Sequence, residues 1–185
     1  MVQSLKVILW GEEIGRLAWD VKRRLSYFMY NPAFLKKGLN ISPLAAPVDG
    51  VGLMPVWGEE AKIYQKLPAF LADSLPDAWG NQLFELWRQQ NHLSNADITP
   101  LDKLSFIGKR GMGALEFLPE VSRERKAEKI DIKSLANLAK RIFSERENAR
   151  ILPEESVTMQ SLLTVGTSAG GRQPVSYTHL RAHET

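Results

Sequence analysis

The apolar residues of this chain change their spacing once, near Ala61, and that switch narrows the possible folds more than any other feature. Before it, LKVILW (Leu5–Trp10) is an apolar run with β-branched members, and IGRLAWD alternates toward Asp20. The segment Arg23–Tyr30 ends in RLSYFMY, whose aromatics favour a pleated, half-buried surface. With Gly11-Glu12-Glu13 as a turn, these runs predict an antiparallel meander. Asn31–Gly58 carries four prolines and four glycines, which predicts turns with short extended pieces such as Ile41–Leu44.

After the switch, Ile63, Leu67, Phe70, Leu71, Leu75, Trp79, Leu83, Phe84 and Trp87 recur at steps of three and four. The pattern predicts two helices joined near Ser74-Leu75-Pro76-Asp77, because Pro76 disfavours helix at the residue before it. Thr99-Pro100-Leu101-Asp102 combines a cap hydroxyl, a proline at the first helical position and an early acid, and this helix should stop near Gly108. ALEFLP (Ala114–Pro119) reads as a strand. Asp131 can cap a helix with the stripe Ile132, Leu135, Leu138, Ile142 and Phe143, and a last short helix covers Val157–Leu163. Meander, helices, strand and helix in that order predict an α+β fold, an N-terminal antiparallel β-meander packed with several helices.

A chain of 185 residues suggests one domain or one and a fraction. It has no cysteine, so disulfides and thiolate–zinc sites are excluded, and a reducing, cytoplasmic setting is expected. No stretch approaches the roughly 20 apolar residues of a membrane helix, so no membrane partner is expected. A formal charge of +3 permits nucleic-acid binding without arguing for it.

Six features are weighed for chemistry. In GTSAGGRQ (Gly166–Gln173) the glycines let backbone amides approach a phosphate, Ser168 offers a hydroxyl, and Arg172 could pair with phosphate oxygens. No GK[ST] follows, so the stretch is not a Walker sequence, and by pattern alone a plain loop is the better reading. IGKRGMGAL (Ile107–Leu115) offers Lys109 and Arg110 beside three glycines, yet Gly108 as a helix stop explains it more economically. Asp73 and Asp77 suit exposure and helix capping better than paired acid–base work. His92 stands alone, and the tryptophans fall on apolar stripes, which favours core over a stacking platform for bases. His179 and His183 in HLRAH have the spacing of a helical metal pair.

Taken in order, five stretches resemble the N-terminal part of HipA-family proteins, serine/threonine kinases that act as toxins of type II toxin–antitoxin modules. They are GEEIGRL (Gly11–Leu17), ISPLAAP (Ile41–Pro47), LPAFLADSLPDAWGNQLF (Leu67–Phe84), LSFIGKRGMGALEFLP (Leu104–Pro119) and TVGTSAGGRQP (Thr164–Pro174). The resemblance implies an ATP- and Mg2+-dependent protein kinase in which the glycine-rich loop covers the nucleotide phosphates. Ser168 then takes the position of the family's autophosphorylated, inactivating serine, and Ala169, Gly170, Gly171, Arg172 and Gln173 form the stretch that approaches ATP. It also implies a protein substrate and a DNA-binding antitoxin partner, with DNA contact chiefly through that antitoxin. Family members place a lysine after the proline matching Pro174, whereas position 175 here is valine and the similarity stops.

The family's catalytic Asp, magnesium-binding Asp and nucleotide-pairing Lys have no counterparts after Pro174, so no catalytic residue is assigned and tight ATP binding by this chain alone is not expected. Read this way, residues 1–120 are the family's N-terminal subdomain and 121–130, with the mixed-charge SRERKAEK, a linker. Residues 131–174 are helices leading into the loop that starts a kinase-like lobe. VSYTHLRAHET (175–185) back-translates in one frame into a transposase adapter used in preparing DNA libraries, so the tail and its histidine pair are set aside and no metal site is expected. An alternative reading is a stand-alone module that regulates a separate kinase or antitoxin.

Overall fold

The computed structural model describes residues 2–44, 46–48, 54–55, 60–94, 98–111, 113–121, 131–145 and 148–164. Its centre is an antiparallel sheet of five strands in the order β4-β3-β2-β1-β5. Here β1 is Ser4–Leu9, β2 Glu12–Asp20, β3 Leu25–Tyr30, β4 Met54–Pro55 and β5 Leu115–Leu118. The predicted meander is β1–β2–β3, and the predicted strand at Ala114–Pro119 returns to pair with β1 at the sheet's edge.

The first turn lies earlier than expected. Leu9 pairs with Glu12, so Trp10 and Gly11 alone connect the strands, with φ of 50° and 80°. Two left-handed central residues match the right-handed twist of a hairpin, and Gly11 supplies one of them without steric cost. A register shift after Val7 places Ile14 as the extra residue of a bulge, fully buried. Gly15 follows because a Cβ there would lie 2.5 Å from the Met29 carbonyl and 2.6 Å from the Phe28 ring.

One face of the sheet is dry. Leu5, Val7, Ile14, Leu17, Phe28, Tyr30 and Phe117 pack with Phe34, Leu67, Leu71, Leu101, Leu104 and Ile107 in a first core. The Phe28 ring meets Tyr30 and Phe70 edge-on at 4.9 and 5.3 Å. The buried Tyr30 hydroxyl donates to the Ala46 carbonyl (2.8 Å), and burial raises its pKa.

Between β3 and the long helices the chain is more broken than its spacing suggested. Asn31 caps a short helix α1 (Pro32–Leu35) by accepting from the Ala33 amide. Ile41–Leu44 is a bend and turn, closed by the Ala46 amide on the Ser42 carbonyl, and not an extended piece. The single helix expected after Ala61 is two short ones, α2 (Glu60–Ile63) and α3 (Ala69–Ala72). Pro68 removes an amide and restricts Leu67, while Gln65 and Lys66 turn left-handed at φ 50° and 63°. The Lys66 carbonyl is held by both the amide and the hydroxyl of Ser26.

Helix α4 (Ala78–Gln90) starts at Asp77, whose carboxylate accepts from the Gly80 amide at 2.8 Å. Helix α5 (Pro100–Ile107) starts with a capping box: Asp102 accepts from the Thr99 amide (2.8 Å), and Thr99 Oγ1 from the Asp102 amide (3.3 Å). The other Asp102 oxygen accepts from the Val2 amide, stitching the chain's start to this helix. Gly108 ends α5 at φ 56°, and a Cβ there would lie 2.4 Å from the Glu120 side chain.

Helices α6 (Ile132–Glu145) and α7 (Ser156–Thr164) build a second core on α4 and α5. It gathers Trp79, Leu83, Phe84 and Leu86 with Phe106, then Leu138, Ala139, Ile142, Met159, Leu162 and Leu163. Asp131 caps α6 as expected. Of its predicted stripe Leu138 and Ile142 are buried and Leu135 partly so, whereas Ile132 and Phe143 are exposed. Among the described residues no helix is long and apolar enough to cross a membrane.

Candidate functional site

Ser168 and the stretch Ala169, Gly170, Gly171, Arg172 and Gln173 lie outside the described residues, as do the tail and its histidines. What the structure describes is helix α7, which precedes that stretch in the chain. Helix α7 ends at Thr164 after burying Met159, Leu162 and Leu163 in the second core, and Ser161 spends its hydroxyl on the Val157 carbonyl. The chain therefore enters the glycine-rich stretch from a firmly seated helix.

The seat is closed by Arg110. Its Nη1 donates to the Leu163 carbonyl at 2.8 Å, one residue before the end of α7, and its Nη2 donates to the Phe106 carbonyl. The guanidinium lies 5.3 Å from the centre of the Phe106 ring, and Nε lies 3.3 Å from a Glu120 carboxylate oxygen. Both side chains of this pair are largely buried, at 8% and 19% exposure. A desolvated guanidinium needs such a partner and such carbonyls, since an uncompensated buried charge is strongly destabilising. Arg110 is thus committed to holding α5, β5 and α7 together and is not presented to a phosphate. Its neighbour Lys109 is exposed and 3.9 Å from Glu116. The glycine stretch Ile107–Leu115 is accordingly a helix stop and a lead-in to β5.

The remaining candidates divide plainly. Asp77 is the cap of α4, and Asp73 is exposed at the end of α3. His92 is exposed in a turn with φ 55°, its amide on the Gln89 carbonyl. Trp79 is buried and Trp87 packs on Phe84 and Phe106 in the second core, whereas Trp10 is 81% exposed at the hairpin turn, contrary to the core expectation for the tryptophans. A turn residue cannot face the sheet's interior, which is why the stripe argument fails there. Among the described residues no three His, Asp or Glu side chains gather as a metal site.

Two polar groups escaped the sequence reading. Glu120 gave no periodic signal, because its partner Arg110 sits ten positions earlier across a turn and a strand. Lys103, on α5, is half-buried, and its Nζ donates to Asn81 Oδ1 on α4 at 2.8 Å. Burial lowers its pKa, and the nearby Glu85 charge offsets that only partly. Glu85 is itself held by Arg88, whose hydrogen bonds keep its carboxyl below the usual range.

These features define a class: an α+β domain whose antiparallel sheet is backed by capped helices, with two further helices, α6 and α7, packed on it. A family model described as HipA N-terminal domain matches residues 5–118, and the chain belongs to that family. No curated protein matches the chain significantly. The match spans all five strands and α1 to α5 and ends at the last residue of β5.

Proposed function

We propose that this chain is the N-terminal region of a HipA-type serine/threonine protein kinase, the toxin of a type II toxin–antitoxin module. The observation that carries the reading is the family match over residues 5–118. Support for its kinase part comes from the seated helix α7, which leads directly into GTSAGGRQ.

The chemistry follows from the residue types. Glycine amides at 170 and 171 can lie close to ATP phosphates, and Arg172 can neutralise charge there, while Mg2+ supplies the rest of the neutralisation that phosphoryl transfer needs. Phosphate on Ser168 would add nearly two negative charges where ATP phosphates sit, which explains inactivation by repulsion. The DNA-binding antitoxin and the protein substrate belong to the same proposal.

The test is to recover the native reading frame beyond the codon for Gln173, express it, and incubate the product with ATP and Mg2+. The reading expects a frame continuing with Pro-Lys into a kinase-like lobe, phosphate on Ser168 by mass spectrometry, and prolonged activity in Ser168→Ala. A frame that stops soon after residue 174, or a full-length product that leaves Ser168 unmodified, sinks it. The first outcome would instead support a free-standing regulatory module.

A further inference from the structure

Helix α7 is capped by a side chain from a distant part of the chain. The last four carbonyls of a helix have no partner within it, and the helix dipole favours a cation there. In α7 (Ser156–Thr164) one of these is the Leu163 carbonyl, which accepts from Arg110 Nη1 at 2.8 Å, 53 positions away in sequence. The cap thus comes from inside the family match over residues 5–118 and closes a helix that lies beyond it.

The guanidinium is aimed by its own surroundings. The Arg110 amide donates to the Ile107 carbonyl at 3.0 Å and Nη2 to the Phe106 carbonyl, so backbone and fork are both tied to the end of α5. Glu120, 3.3 Å from Nε, is fixed as well. On either side of it, the Phe117 amide donates to the Gly108 carbonyl (3.0 Å) and the Val121 amide to the Ser105 carbonyl (3.1 Å). The Ser105 hydroxyl donates to the Pro119 carbonyl. A planar fork held in such a corner fixes direction as well as distance. Met159, Leu162 and Leu163 hold the side of α7 in the second core, and Arg110 fixes its end.

We propose that Arg110 is a positioning residue for phosphoryl transfer. By capping α7 it sets the direction in which the chain enters Gly166–Gln173, and so where the glycine amides stand against the phosphates of ATP. It acts through Leu163 and touches no nucleotide. Its consequence for ATP rests on the kinase reading above, whereas the cap does not. Position matters steeply here, since a misplacement of about 1 Å caused far from the chemistry can cost about 100-fold.

Arg110→Lys separates this role from support of the fold. The lysine keeps a cation beside Glu120 but cannot offer a planar fork to two carbonyls. In the 1–185 chain, hydrogen exchange should quicken in the last turn of α7, Ser161–Thr164, and stay unchanged in β1–β3. Exchange of that turn at the wild-type rate would overturn the proposal. The second arm uses the full-length product recovered as above, carrying Ser168→Ala to prevent modification. There Arg110→Lys should raise the calorimetric Kd for ATP with Mg2+ roughly tenfold. Phe28→Leu, a truncation in the first core, should lower the melting temperature without moving this Kd. Equal weakening in the two variants, or none in Arg110→Lys, would overturn the positioning role. A full-length parent that binds no ATP would sink the kinase reading and the effect on ATP with it, and exchange in α7 would then decide the cap alone.

Discussion

The two cores of this protein are built by different rules. The first is a sheet face closed by helices, and its residues span the whole of the family match from Leu5 to Phe117. The second is helical and shared: α4 and Phe106 come from the matched stretch, whereas α6 and α7 lie beyond it. Phe106 is the hinge of the arrangement. Its ring meets those of Phe84 and Trp87 at 5.2 Å each, while Leu104 and Ile107 on the same helix face the first core. The lesson is that the matched domain has an apolar face, Trp79 through Phe106, that it does not cover itself. Residues after 131 cover it, and in doing so they seat helix α7 up to Thr164.

The sharpest way to break this comparison is a pair of truncations in volume. Phe28→Ala and Phe106→Ala both empty fully buried aromatic sites, so each should cost about 3–5 kcal/mol by chemical denaturation. Hydrogen exchange separates them: loss of protection should stay within the sheet for Phe28→Ala but spread through α6 and α7 for Phe106→Ala. Unchanged protection of α6 and α7 in Phe106→Ala would show that the second core is not shared.

Next in size is the link between the cores. Arg110→Met leaves Glu120 largely buried without its cation and frees the Leu163 carbonyl, a loss of about 3 kcal/mol. Adding Glu120→Gln should recover much of it, and a double variant as unstable as the single would refute the ion-pair account.

Capping comes third. Asp77→Ala should cost about 1 kcal/mol and Asp77→Asn clearly less, read from melting curves, because the α4 cap is one hydrogen bond to the Gly80 amide. The smallest effect is Glu85→Gln, below about 1 kcal/mol because this carboxylate is 40% exposed and partly screened. Its folded pKa is lowered, so the contribution is present above the ordinary value of 4.5 and is lost as pH falls through the folded pKa. The wild-type advantage over Glu85→Gln should therefore be seen at pH 7 and vanish in acid; an advantage that grows in acid would contradict it.

Much of the fold was legible in the residues. Thr99-Pro-Leu-Asp predicted a helix start with a cap hydroxyl and an early acid, which the structure joins in a reciprocal capping box, and Asp77 and Asp131 predicted their caps. The failures share a cause, local geometry overriding periodicity. The Leu67-Pro68 pair breaks a helix whose apolar spacing runs straight through it. The Trp10-Gly11 turn replaces the expected Gly-Glu-Glu turn because register, set by the bulge at Ile14, decides where a hairpin closes. The site was legible in a different way. Arg110 was visible as a cation beside glycines, but only tertiary contact shows it turned inward to Leu163 and Glu120.

The proposal most open to test is that this chain, a HipA N-terminal domain over residues 5–118, does not bind ATP tightly by itself. Isothermal titration calorimetry of purified residues 1–185 with ATP, with and without Mg2+, tests it most directly. The account predicts no saturable heat in either titration, whereas tight, magnesium-dependent ATP binding by this chain would contradict it.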